Sequence, residues 1–173
     1  MVEHSIHIAG VVGSIPTGRT KKMTIPTHAV AGLFIGVITG HPLIGVLAST
    51  LIDLDHFVIY AQHGVLKNPK LFWETVTNNE DPYGGQRGWF HSLLVAIPLS
   101  VVVWFVVPIW APVLILSYLG HILLDILDSA DYWPLFPFKK WNIRGPIRFF
   151  SLQEFFICGL FIMSTLFIVF VRL

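Results

Sequence analysis

Three long apolar blocks dominate the chain, at residues 27–57, 91–127 and 152–173. The first two exceed the roughly 20 residues that span a bilayer, and each is punctuated near its middle. Thr39-Gly40-His41-Pro42 is a turn signal. Pro108-Ile109-Trp110-Ala111-Pro112 is another, because proline removes an amide donor and clashes with the preceding turn. Both blocks therefore read as helical hairpins. The pattern predicts five helices, at 27–39, 42–57, 91–107, 112–128 and 151–171: an all-α integral membrane bundle of two hairpins plus a C-terminal transmembrane helix. At about 1.5 Å per residue, the first pair reaches only some 20 Å, short enough to be partly embedded or shielded by the others. Two wet connections, 58–90 and 129–150, join the blocks.

Composition agrees with this reading. Of 173 residues, 54% are hydrophobic and only 12% charged, with a mean hydropathy of +0.72, far more apolar than a soluble domain. Residues 23–173 read as a single membrane-embedded domain. Residues 1–22 read as a flexible extension, since Lys21 and Lys22 follow the weak apolar run IHIAGVVGSIP instead of preceding it as in a signal peptide. Met23 is a plausible alternative start. The formal charge of +1 excludes a general basic field for nucleic acid. The sole cysteine, Cys158, permits neither an intramolecular disulfide nor a CxxC zinc pattern.

The basic residues set an orientation. Arg19, Lys21, Lys22, Lys67, Lys70, Arg87, Lys139, Lys140, Arg144 and Arg148 fall on one side of the predicted topology, against Arg172 on the other. The positive-inside rule then puts the connections in the cytoplasm. Trp89, Trp133 and Trp141 suit the interfacial aromatic belt.

On this topology the polar residues converge. His28 opens the first helix; Asp53, Asp55 and His56 close the second; His91 opens the third; His121, Asp125 and Asp128 close the fourth. Starts of odd helices and ends of even ones share a membrane face, so four separate segments deliver imidazoles and carboxylates to one cytoplasmic-side cluster. Tyr118, His121, Asp125 and Asp128 form one helical stripe, with the apolar residues turned away. Ionised groups facing apolar surroundings cost several kcal/mol unless paired. No Lys or Arg lies inside the second to fourth helices to pair with them. A cation is the economical explanation, and imidazole with carboxylate suits zinc, with manganese or iron also accommodated.

Plainer readings stand beside this one. His121 with Asp125 is also a helix-stabilising pair, and Asp53 with Asp55 also marks a helix end. His41 suits turn chemistry beside Pro42, and His4, His7 and His63 suit solvent or loop. Ser92 reads as a helix cap or a donor to a ligand, and Asp131 as a loop residue.

The ordered segments Pro26-Thr27-His28, Asp53-Leu54-Asp55-His56, Arg87-Gly88-Trp89-Phe90-His91-Ser92 and Tyr118-Leu119-Gly120-His121 through Asp125 resemble the four motifs of the LexA-regulated (LexA-binding), inner-membrane-associated, metal-dependent hydrolase family. The resemblance covers residues 24 to about 138. Ile52 stands where such proteins show proline, and Gln86 and Phe90 depart from a His-Arg-Gly-x-Thr-His-Ser pattern, which removes one imidazole. A looser similarity is to zinc-dependent phospholipase C and related phosphoesterases.

The resemblance implies one or two divalent ions, with His28, Asp55, His91, His121 and Asp125 as ligands. Asp53 and His56 would bridge, orient a ligand or act as general base, and Arg87 would steady an anionic oxygen or simply mark topology. A site among headgroups implies a lipid or lipid-linked phosphoester as substrate, with membrane lipids as partners. The alternatives are an ion or metal transporter, which should carry polar residues near mid-span, and a non-catalytic metal-binding membrane protein.

Overall fold

The computed structural model describes residues 25–77, 87–138, 140–148 and 151–173. The expectations placed on residues 1–22, Met23, Gln86 and Lys139 lie outside these. Six helices make the fold: α1 (Ile25–Thr39), α2 (Pro42–Gln62), α3 (Pro69–Thr77), α4 (Leu93–Val106), α5 (Ala111–Leu127) and α6 (Leu152–Arg172). The described residues contain no strand, only two isolated bridges, Asp128 with Ile147 and Tyr132 with Ile143. Both predicted hairpins form, as α1–α2 and α4–α5.

The first hairpin is made by glycine. Gly40 has a positive φ of 82°, where only a residue without Cβ sits at no cost. The His41 amide donates to the Gly36 carbonyl (2.7 Å) and the Gly40 amide to the Val37 carbonyl (3.4 Å), the paired bonds of a Schellman termination. Pro42 then starts α2, where its missing donor is harmless. Beyond the turn the backbones touch: a Cβ added to Gly45 would lie 2.2 Å from the Gly32 carbonyl oxygen, and one added to Gly32 would lie 2.4 Å from the Gly45 oxygen. Small residues at facing positions are how membrane helices approach this closely.

Most boundaries fall within two residues of the sequence pattern, and two of the differences have a clear physical cause. α2 runs to Gln62, beyond the predicted end at 57, because Tyr60 stays buried and Gly64, at φ 71°, ends the turn. α4 starts at Leu93 and not at 91, because Ser92 is its cap: the Ser92 Oγ accepts from the Leu94 amide (3.2 Å), while Trp89–His91 form a separate 3-10 turn. A sixth helix, α3, lies in what the pattern reads as a wet connection. Asn68 starts it, its Oδ1 accepting from the Lys70 and Leu71 amides at 3.1 and 3.2 Å. Phe72 meets Phe57 and Tyr60, leaving Trp73 exposed.

The fold is polar inside and apolar outside. α4 buries only Ala96, while Ile97, Phe105 and Val106 are exposed, and along α6 Phe156, Phe167 and Phe170 are exposed. An apolar exterior of this extent belongs against lipid. Two helices, Pro42–Gln62 and Leu152–Arg172, are long and apolar enough to cross a membrane; Ile25–Thr39, Leu93–Val106 and Ala111–Leu127 are shorter apolar helices. α5 is central, packing on α1, α2 and α4, and α6 packs on α1.

Candidate metal centre

The centre is built where α1, α2, α5 and the turn before α4 meet. His28 lies in the first turn of α1, and His121 and Asp125 on successive turns of α5. α2 is α-helical over Pro42–Thr50 and Leu54–Gln62, with a 3-10 turn, Leu51–Asp53, between them. Such a mid-helix change often marks a functional position. Here it turns Asp53 into the cluster, and at the same break the Ser49 carbonyl accepts from His121 Nδ1 (2.6 Å).

That bond places a proton on His121 Nδ1, since a carbonyl can only accept, so that in the neutral ring Nε2 carries the lone pair. His91 is committed in the same way, its Nδ1 donating to Asp55 Oδ2 (2.9 Å). The two Nε2 atoms then face each other at 3.1 Å. Asp53 Oδ1 lies 3.6 Å from each of them, and Asp125 Oδ2 lies 3.3 Å from His91 Nε2 and 3.4 Å from His121 Nε2. Each of these five separations is of the size expected between two ligands of one tetrahedral ion. Ligands about 2.0–2.1 Å from one ion would be roughly 3.3 Å apart.

Two further imidazoles flank this set. His28 stacks on His121 with ring centroids 3.9 Å apart, and its Nε2 is 3.8 Å from Asp125 Oδ1. His56 Nε2 is 3.3 Å from Asp53 Oδ1 and its Nδ1 3.6 Å from Asp55 Oδ1. The structure thus brings together all eight residues singled out by the sequence: His28, Asp53, Asp55, His56, Arg87, His91, His121 and Asp125. All are buried except His56, whose side chain is 15% exposed and is the most accessible of the cluster. The triples His28, His121 and Asp125; Asp53, His91 and His121; and Asp55, His56 and His91 each have donor atoms close enough to share an ion.

Charge and hydrogen bonding both suit a cation at this position. Asp53, Asp55, Asp125 and Asp128 are buried, and Arg87 is the one buried Lys or Arg among the described residues. Arg87 Nη2 donates to Asp125 Oδ1 and Asp128 Oδ2, both at 2.7 Å, and Nη1 to the Asp131 carbonyl (3.4 Å). Burial works against its charge, but the two carboxylates more than offset it and raise its pKa above the ordinary value. The guanidinium bonds Asp125 and Asp128, while the ion-pair partners of Asp53 and Asp55 are imidazoles. Asp125 Oδ2, Asp53 Oδ2, Asp55 Oδ1 and His28 Nδ1 are buried without a hydrogen bond, an expensive state for polar atoms. The donor set and these orphaned atoms fit a divalent ion.

The 129–148 segment locks the cluster from outside. Tyr132 Oη donates to the His91 carbonyl (2.7 Å), Ser92 Oγ to the Phe136 carbonyl (2.9 Å) and the Leu93 amide to the Pro134 carbonyl (2.8 Å). Gly145 sits on the end of α5, where a Cβ would lie 2.1 Å from the Leu127 carbonyl. Asp128 caps α5 and bonds Arg87; Asp131 is a loop residue paired with Arg144 and Asn142. Hydrogen bonds from these partners, working against partial burial, hold the Asp131 carboxyl below its ordinary pKa. Ser49 and Tyr132 carry no sequence signal, since one contributes a backbone carbonyl and the other a single long-range bond. His41 lies at the α1–α2 turn, outside the cluster.

Neither a curated protein nor a solved structure matches the chain. Residues 23–172 match the family described as YdjM inner membrane protein, a span that includes every residue of the cluster and all six helices. The chain belongs to the YdjM inner membrane protein family.

Proposed function

We propose that the protein is a multi-pass, metal-dependent hydrolase whose site faces the cytoplasm and cleaves a phosphoester of a lipid or lipid-linked substrate. The observation that carries this reading is the meeting of two imidazole Nε2 atoms and two carboxylate oxygens at 3.1–3.6 Å in a buried, charge-deficient site. His91, His121, Asp53 and Asp125 would hold the ion, zinc by preference and manganese or iron by the same chemistry. His28 and His56 stand on either side, where a second ion finds donors. When bound, such an ion supplies Lewis-acid polarisation of the phosphoester and acidifies water.

The chain's own groups supply the rest. Asp55 fixes the tautomer and orientation of His91, and the Ser49 carbonyl does so for His121. His56, the most accessible imidazole, is placed to take a proton, with Asp55 beside its Nδ1. Arg87 is saturated by Asp125, Asp128 and the Asp131 carbonyl, which suits positioning of Asp125 better than contact with substrate. Outside α2 the four ligand candidates are His28 in the first turn of α1, His91 in the turn before α4, and His121 and Asp125 in the last two turns of α5, an arrangement that favours surface hydrolysis over a mid-span transport path. The family resemblance also supports expression under LexA control, which a promoter reporter compared with and without LexA would check.

The test is turnover by purified, metal-loaded protein of phospholipids and generic phosphoesters, beside His121→Ala and Asp55→Ala. Turnover that both variants abolish supports the reading; absence of any such turnover removes it.

A further inference from the structure

An apolar trough runs up to the acidic cluster. α2 and α4 both pack on α5 but make little contact with each other, so a channel is left between them with α5 as its floor. It holds a cavity of about 350 Å³, with Leu51, Ile52, Phe90, Leu99, Ile115 and Tyr118 among its walls. Its near end is built from neighbours of the ligand candidates: Ile52 precedes Asp53, Phe90 precedes His91, and Tyr118 lies one turn before His121. Tyr118 Oη donates to the Phe90 carbonyl (2.6 Å), which ties floor to wall at that end.

The far end continues away from the cluster. A second hollow shares Ser100 and Ile115 with the first and reaches Trp104 and Phe105. The interval from Phe90 to Phe105 corresponds to roughly 22 Å at about 1.5 Å per residue, about the depth of one leaflet with its headgroup region in a bilayer about 40–45 Å thick. The rims are open sideways, with Leu51 and Leu99 exposed. The trough therefore has the layout of one lipid in a leaflet, with its polar end at the charged face and its apolar length pointing inward.

We propose that this trough seats one acyl chain of a membrane glycerophospholipid, so that the lipid's phosphoryl group is presented at the His91–His121 cluster. This rests on the phosphoesterase reading for the role of the seated lipid, but not for the seat itself. The depth of the trough selects the occupant: it matches a single acyl chain of one leaflet, whereas a long polyisoprenoid would overrun it. Ser100 joins the two hollows, so a larger side chain there should block the track without touching the cluster.

The full-length protein is reconstituted in phosphatidylglycerol and phosphatidylcholine vesicles doped with a phospholipid carrying a diazirine in mid-chain, irradiated and digested. Labelling is expected to concentrate on Leu99–Phe105 and Ile115–Tyr118 over the lipid-exposed face of α6. Ser100→Phe should reduce groove labelling about tenfold, as expected when a couple of methylenes lose their burial. Leu99→Trp provides a second blocking variant, and Leu160→Phe on α6 should change nothing. Metal content, measured alongside, reports that the variants keep the cluster. Equal labelling of groove and α6, or no loss in either blocking variant, overturns the seat. Two arms separate the claims: strong groove labelling with no turnover of any phosphoester supports the seat while removing the hydrolase reading. Long-chain phospholipid turnover unchanged in both blocking variants overturns the seat while sparing the hydrolase.

Discussion

His91 and His121 present their Nε2 atoms to each other at 3.1 Å, because each ring's Nδ1 is already engaged on the other side, with Asp55 and with the Ser49 carbonyl respectively. As neutral rings the two would face each other lone pair to lone pair, and the carboxylate oxygens of Asp53 and Asp125 beside them add negative charge. A cation between them resolves both problems at once. The predictions below follow from that arrangement and from the scaffold that enforces it.

Asp55 acts through His91. Asp55→Asn keeps the size of the side chain but removes the charge that orients the imidazole and raises its basicity. Metal affinity should fall about 10–100-fold, the usual range for loss of such a partner, with little change in helix content. Chelator competition on the purified variant measures this, and an unchanged affinity would show that Asp55 has no part in ordering the ligand.

Arg87 is the sole buried Lys or Arg among the described residues and serves two carboxylates. Arg87→Gln leaves Asp125 and Asp128 without it, and breaking a buried pair from one side costs about 3–5 kcal/mol. Thermal unfolding in detergent should show the loss, and Arg87→Gln with Asp128→Asn should be less destabilised than Arg87→Gln alone. If the double variant is the worse of the two, the charge argument fails.

The α1–α2 contact tolerates no Cβ. Gly45→Ala drives a methyl into the Gly32 carbonyl and Gly36 backbone, where no flexible side chain can give way, and should cost at least the 1–3 kcal/mol typical of overpacking. Gly159→Ala on α6 meets nothing within 4 Å and should be neutral or slightly stabilising, since alanine is the better helix former. Parallel unfolding of the two variants decides the point, with equal effects counting against the close contact.

Asp131 gives the pH dependence a sign. Its folded carboxyl titrates below the ordinary value near 3.8, through hydrogen bonds from Arg144 and Asn142 that overcome burial. The pair therefore contributes fully above about pH 4 and fades as pH falls through the lowered folded value. Both side chains are partly exposed, so the contribution stays below about 1 kcal/mol. Arg144→Ala should lower stability slightly at pH 7 and have a progressively smaller effect as the pH falls below about 4; an effect that grows on acidification would contradict the assignment.

The hairpins and the convergence were legible in the sequence because punctuation and polarity are strong signals in an apolar chain. Gly40 and the proline pairs cannot continue a helix, and His28, Asp53, His91 and His121 stand out where little else is polar. α3 was hidden because its nine residues sit among polar ones, although Asn68 followed by Pro69 is a start signal. The division of labour inside the cluster was not legible. Which of Asp53 and Asp55 faces His121 depends on a 3-10 turn in α2, and the tautomer of His121 depends on a carbonyl 72 residues away in the chain. No pattern of side chains encodes either. Arg87 was visible as a charge, but its saturation by Asp125 and Asp128 follows from the way the 129–148 segment closes over α5.

The most direct measurement is the metal content of detergent-purified full-length protein beside His121→Ala. Wild type should retain one or two equivalents of a divalent ion, zinc foremost, and His121→Ala should lose most of it while keeping its helix content. Equal metal content in the two proteins, or none in wild type after loading, would contradict the claim that these imidazoles and carboxylates form a metal centre.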